Sequence, residues 1–252
     1  MIELEDRGNV TILRMAAGKG NALNLEFASA LADAVEELER GPARAVVITG
    51  KGSVFGAGVD LPALVEGGPD YVRRFLPLMQ RGFERLVLFP KPIVAAVNGH
   101  AIAGGAIIML ACDQRLLAQG TARIGLTEVR VGVEFPAWPL EIVRFATPPQ
   151  HFPTLVCTGR TFQPPEALAR GLVDELVAPE RLIDRACEVA EEMAAVPAAA
   201  FTATKRAVRR PLIEAGRRLA SLEETAMIEK WSSPEVLRNV ADFAARTIGR
   251  RT

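Results

Sequence analysis

Apolar residues recur along this chain at two spacings. From Leu25 to Arg40 the positions Phe27, Leu31, Ala34, Val35 and Leu38 fall at helical intervals, which predicts an amphipathic helix. Val10 to Met15 reads as a strand followed by a glycine-containing turn. Ala45 to Gly50 and Pro92 to Val97 are short apolar runs that read as buried parallel strands, closed by Gly50 and by Asn98-Gly99. Tyr71 to Leu88 carries a second helical pattern, Gly104-Gly105 opens a third that runs to Ala111, and Arg115 to Ala118 reads as a strand again. Such alternation predicts an α/β fold with a parallel sheet and crossover helices. Beyond residue 138 the pattern turns helical, with Ala- and Glu-rich segments from Arg181 to Ala195 and from Leu212 to Lys230, interrupted at Val196-Pro197. The expected division is an α/β core over residues 1–195 and a helical region over residues 196–252.

Composition narrows the function classes. Of 252 residues, 49% are hydrophobic, which supports a large core and excludes a disordered chain. Lys+Arg and Asp+Glu both number 30, unlike a broadly basic nucleic-acid binder. Cys112, Cys157 and Cys187 are odd in number and widely spaced, which argues against a disulfide framework or a zinc site and fits a reducing compartment. Cys112, read as part of the third helix, is expected to be a buried filler. The first residues are acidic and lack a long apolar core, so they do not read as a secretion signal. No apolar run reaches the roughly 18 residues of a membrane span. A cytoplasmic protein with no membrane or nucleic-acid partner is expected.

Three segments are candidates for chemistry. Phe55-Gly56-Ala57-Gly58-Val59-Asp60-Leu61 follows the strand that ends at Gly50, and its glycines free the backbone to approach a ligand. The structural alternative is a strand-to-helix turn with Asp60 as a helix N-cap. Asn98 to Ala106 again joins a strand to a helix whose N-terminal N–H groups suit a developing oxyanion. Its structural alternative is close helix–sheet packing at the glycines. Glycines at 99, 104 and 105 make no dinucleotide fingerprint, and neither stretch ends in the Gly-Lys-Ser/Thr of a phosphate loop. In Gly125 to Pro136, Glu128 and Glu134 sit among apolar and small residues, where a carboxylate can acquire a raised pKa and act as acid or base. The alternative there is a surface pair with Arg130 or Arg144. His100 and His151 read as structural, and no Gly-x-Ser-x-Gly elbow is present.

Taken in order, these segments resemble the crotonase (enoyl-CoA hydratase/isomerase) superfamily. The matching stretches are Gly18 to Asn24, Val47 to Gly50 with Phe55 to Leu61, Lys91 to Gly99, Gly104-Gly105, Ala111-Cys112-Asp113, Gly125 to Glu128 and Arg170 to Asp174. The resemblance implies a crotonase-like spiral of ββα units with a helical C-terminal trimerisation region, assembled as a homotrimer or dimer of trimers. It implies an acyl-CoA thioester substrate, and neither metal nor separate cofactor. It also implies that Val59 and Gly104 supply the two N–H groups of an oxyanion hole, and that Ala22, Ala57, Asp60 and Leu61 line the substrate path.

One departure bears on the reaction. Hydratases of the superfamily resemble two-glutamate enzymes, with one glutamate two residues after the Gly-Gly pair and the other at the position of Glu128. Here the first of these positions is Ile107. Single-glutamate members are typically Δ3,Δ2-enoyl-CoA isomerases, so the resemblance favours an isomerase with Glu128 as its acid/base. Glu134 stands as a candidate second acid. Hydration, another enolate reaction, and a catalytically poor acyl-CoA binder are the alternatives. Phe243 to Arg251 is basic and is a candidate for completing a neighbouring subunit's CoA site.

Overall fold

The computed structural model describes residues 1–18 and 20–248; Lys19 and residues 249–252, with the Arg250-Arg251 end of the basic segment, lie outside the described residues. The apolar runs build one large sheet from β1 (Ile2–Arg7), β2 (Val10–Met15), β3 (Ala45–Gly50), β5 (Ile93–Val97), β7 (Gln114–Ala118) and β10 (Glu175–Val177), in that spatial order. Only β1 runs antiparallel to its neighbour. Both faces of its central strands β2, β3 and β5 are covered, which is why these strands lack polar alternation. Val46, Ile48, Ala95 and Val97 face the main core, whereas Ala45, Val47, Val94 and Ala96 pack against Leu182, Ala186, Val189 and Ala190 of α8 (Leu182–Ala194).

A second, smaller sheet follows the same order. Its strands are β4 (Val54–Gly56), β6 (His100–Ile102), β8 (Ile124–Gly125) and β9 (Thr161–Phe162), with the first three parallel. The chain thus climbs in ββα steps, each giving one strand to the large sheet, one to the small sheet, then a helix. The steps are β3–β4–α2 (Leu61–Leu88), β5–β6–α3 (Gly104–Ala111) and β7–β8–α4 (Glu128–Val131). Before these steps, from β2 to α1 (Leu25–Arg40), the place of the small-sheet strand is taken by a single parallel bridge between Leu23 and Val59.

Several expectations are refined. The predicted strands and the helices at 25–40 and 104–111 stand within a residue or two of their expected ends. Strand β1 was not foreseen, because Ile2-Glu3-Leu4-Glu5-Asp6-Arg7 is an edge strand whose residues are mostly exposed. The helix expected from Tyr71 instead begins at Leu61 and is broken at Gly68 (φ 58°, ψ −151°), where Gly67-Gly68-Pro69 hid its first turns. Cys112 is buried, yet it caps the end of α3 rather than lying within it.

The C-terminal helices α9 (Ala198–Val208), α10 (Arg210–Trp231) and α11 (Pro234–Ile248) fold back onto their own chain. Helix α10 packs on α2 and α5 (Ala137–Ala146), and α11 packs on α2 and α4. A buried ionic cluster fixes the first of them. Asp113, just past α3, accepts from Lys205 Nζ and Arg209 Nη2, each at 2.7 Å. Arg209 also donates to the Val87 carbonyl (3.0 Å) and the Ala111 carbonyl (2.9 Å), at the C-terminal ends of α2 and α3. A helix C-terminus carries roughly half a negative charge, so two such ends and one carboxylate balance the two cations. Burial nonetheless pushes the Lys205 ammonium down to about 8, against the opposing pull of Asp113. Replacing Asp113 with Ala strands both cations and is expected to cost about 3–5 kcal/mol of stability, measured by urea unfolding.

Candidate active site

The ββα repeat brings the candidate residues together by construction. Val59 follows β4, Gly104 follows β6 and Glu128 follows β8, each where a parallel strand of the small sheet passes into its helix. Neighbouring strands lie roughly 5 Å apart, so the three residues line one edge of the sheet over about 10 Å.

Backbone pairing aims the first donor. Leu23 donates its N–H to the Gly58 carbonyl (2.7 Å) and accepts from the Asp60 N–H (2.9 Å). In a parallel ladder this pairing turns the intervening residue, Val59, so that its own N–H points away from Leu23. That is the side on which β6 and the start of α3 lie. Gly104 is the first residue of α3, where helical N–H groups have no internal partner. Among the described residues, no acceptor takes the N–H of either Val59 or Gly104.

The two turns touch backbone to backbone. A Cβ on Gly58 (φ +87°) would stand 2.8 Å from Ala103 Cβ and 3.5 Å from the Gly104 nitrogen. A Cβ on Gly105 would stand 2.2 Å from the Gly56 carbonyl oxygen. The turns therefore pack closely through their glycines and leave the amides of Val59 and Gly104 without a backbone acceptor, so the structural reading applies and the chemical one stays open. Ala103 holds φ +50° and ψ −124° at the α3 N-cap, a conformation that costs a non-glycine residue about 1–3 kcal/mol. It is pinned on both sides: its N–H donates to the Gly125 carbonyl (2.9 Å), and its carbonyl accepts from Ile107 N–H (3.0 Å). The first of these bonds ties the α3 N-terminus to the strand that leads to Glu128.

Glu128 opens α4 and is 7% exposed. Its Oε2 has no hydrogen-bond partner among the described residues. Burial lifts its carboxyl from the ordinary 4.5 to about 7, with the backbone amides of Glu128 and Thr127 pulling the other way. It pairs with neither arginine considered above, since Arg130 Nε donates to the Thr158 carbonyl and Arg144 Nε to Glu141.

The remaining candidates divide. Asp60 does cap α2, its Oδ1 accepting from Ala63 N–H at 3.1 Å, so its side chain is occupied. Ala22 and Leu61 are half-buried and Ala57 is exposed, on the two chain segments that flank Val59. Glu134 has a side chain that is 46% exposed and ion-paired with Lys230 at 2.9 Å. Ile107 is 2% exposed in the first turns of α3. His100 Nδ1 accepts from Arg123 N–H, joining neighbouring strands.

This arrangement can be set beside known proteins. A family model described as enoyl-CoA hydratase/isomerase matches residues 5–246. The chain belongs to the enoyl-CoA hydratase/isomerase family. A Thermus thermophilus protein that carries a provisional enoyl-CoA hydratase name is 36% identical, over 94% of this chain and 96% of its own. Human mitochondrial enoyl-CoA delta isomerase 1 is 29% identical, over 83% of this chain and 70% of its own. The crystal structure of human mitochondrial delta3-delta2-enoyl-CoA isomerase superposes with a TM-score of 0.91 at 26% identity, covering 100% of this chain and 99% of that one. The fold is thus that of the enoyl-CoA hydratase/isomerase enzymes, and both reactions are named among the relatives.

Two residues that shape this edge carried little signal. Asn21 is 2% exposed at φ +52° and donates from Nδ2 to the Val54 carbonyl (2.9 Å), holding the 20–24 segment on β4. Its place in Gly20-Asn21 was a clue, because Asn tolerates positive φ better than other non-glycine residues. Ala103 offered none.

A buried acid with a raised pKa stabilises the fold fully below the unfolded value and loses that contribution as pH rises through the folded value. Between pH 4.5 and pH 8, Glu128 is expected to withdraw about 3 kcal/mol of stability. Glu128→Gln is expected to remove that slope, so urea midpoints of wild type and variant diverge across this window in favour of the variant.

Proposed function

We propose that this enzyme shifts the double bond of an enoyl-CoA thioester from the 3,4 to the 2,3 position with Glu128 as its one acid/base. The observation that carries the reading is that Glu128 is buried with an unpartnered oxygen, while Ile107, at the position where the family's hydratases resemble two-glutamate enzymes, is apolar and buried. Hydration needs one group to hold water and another to move a proton. An isoleucine does neither.

In the proposed reaction the thioester oxygen receives the N–H groups of Val59 and Gly104. The Glu128 carboxylate removes a proton from C2, and the electron pair moves onto the thioester oxygen as a dienolate. The same carboxyl group, now neutral, returns the proton at C4, and the new double bond lies between C2 and C3. A base near pKa 7 is matched to both steps at neutral pH, and positioned acid–base catalysis supplies about 10²–10⁴ in rate. Each oxyanion donor supplies about 10²–10³ more. Ala22, Ala57, Asp60 and Leu61 border the thioester path in this reading, with no separate cofactor. A homotrimer or dimer of trimers in the cytoplasm belongs to the same proposal.

A second reading, hydration, is favoured by the 36% identical relative with a hydratase name. It would require Glu134 to leave its ion pair with Lys230 and hold water.

The test is a pair of assays on purified protein, with 3-enoyl-CoA and with 2-enoyl-CoA. Isomerisation of the first is expected, with hydration of the second slower by at least about tenfold, and Glu128→Gln is expected to lose about 10² or more of the isomerase kcat. Fast hydration with negligible isomerisation contradicts the reading.

A further inference from the structure

Helix α4 has only four residues, Glu128 to Val131. A single helical turn has no stability of its own, so the placement of Glu128 depends on what grips α4 from outside. On one side the grip is α6 (Phe152–Thr158), through the bond from Arg130 Nε to the Thr158 carbonyl at 3.2 Å. On the other side it is the C-terminal helices. Gly132, which ends α4 at φ +88°, lies so close to α11 that a Cβ there would come within 2.9 Å of Asn239 Cβ. Two residues on, the Glu134 carbonyl accepts from the indole Nε1 of Trp231 at 3.2 Å. Trp231 is 3% exposed at the last position of α10. The carbonyl of Glu128 itself accepts from Gly132 and Val133 N–H, each at 3.1 Å, so strain in this loop passes directly to the base.

We infer that Trp231 is a positioning residue for the reaction, its indole N–H holding the 132–136 loop and α4 closed around the Glu128 carboxylate. The inference rests on the reading of Glu128 as the base and adds that the chain's own C-terminal helices seat it. The elements packed on α4 carry Cys157 from α6 and Glu235, Arg238, Asp242 and Arg246 from α11. None of these groups contributes to the raised Glu128 pKa, whose leading cause is burial. Loosening the loop admits water, and the carboxyl then falls back from about 7 toward 4.5.

The experiment is the pH profile of kcat/KM and the kcat and KM values for Trp231→Phe, with thermal unfolding as a check on folding. An aromatic ring is kept, while the N–H and the five-membered half of the indole are lost; Trp231→Met serves if the Phe variant does not fold. The expected result is a kcat lower by about tenfold, a KM near that of wild type, and an acid limb moved to lower pH. Unchanged kcat and an unchanged acid limb would overturn the assignment. Lys230→Met removes only the exposed ion pair to Glu134 and is expected to keep both values; an equal loss there would transfer the role to the ion pair and overturn it too. Glu128→Gln separates the two levels. If that variant stays active, the base reading itself fails. If it is inactive while Trp231→Phe matches wild type, only the positioning role fails.

Discussion

Two turns of backbone meet where Gly56 faces Gly105 with no side chain between them and Gly58 faces only the methyl of Ala103. This contact sets the distance between β4 and the start of α3, and so the distance between the amides of Val59 and Gly104. Its conditions spread outward. Leu23 must pair with the turn to aim the Val59 N–H, Asn21 must hold Leu23's segment on β4, and Ala103 must accept a strained conformation. A pair of amides fixed in this way suits an oxygen that gains charge during a reaction, because the donors need no reorganisation when the charge appears.

The same edge concentrates energetic conflict. Glu128 is a carboxyl group kept out of water with one oxygen unpartnered, and Ala103 stores backbone strain. At neutral pH neither helps the fold. Both persist because their surroundings over-determine them: the Asp113–Lys205–Arg209 cluster locks the C-terminal end of α3, and α10 and α11 brace the loop behind α4. The C-terminal helices therefore touch both ends of the site's machinery, the helix that presents Gly104 and the turn that presents Glu128.

Much of this was legible in the sequence, for physical reasons that can be named. Strands β3 and β5 are buried on both faces and read as unbroken apolar runs, and α1 has one buried stripe and reads as a periodic one. The glycine turns were visible because close backbone contact excludes every other residue type. Ile107 could be read as a departure only because a resemblance supplied the expected glutamate. The short strands β4, β6 and β8, two or three residues each, are below the length at which a period can be seen. They are defined by pairing with distant segments. The roles of Ala103 and Trp231 were invisible for a related reason: a strained alanine and a buried tryptophan look like any others until the partner they meet is known. Glu134 shows the converse, an acidic residue in a suggestive segment that the fold turns outward to Lys230.

In the proposed isomerisation one dry carboxylate takes a proton from C2 and gives the same proton back at C4. Isotope transfer tests this directly. A 3-enoyl-CoA deuterated at C2 is turned over in ordinary water, and the 2-enoyl-CoA product is examined for deuterium at C4. A single buried base should carry a substantial part of the label from C2 to C4 within each turnover. Complete loss of the label to solvent, with protium alone at C4 from the first turnovers, would contradict it.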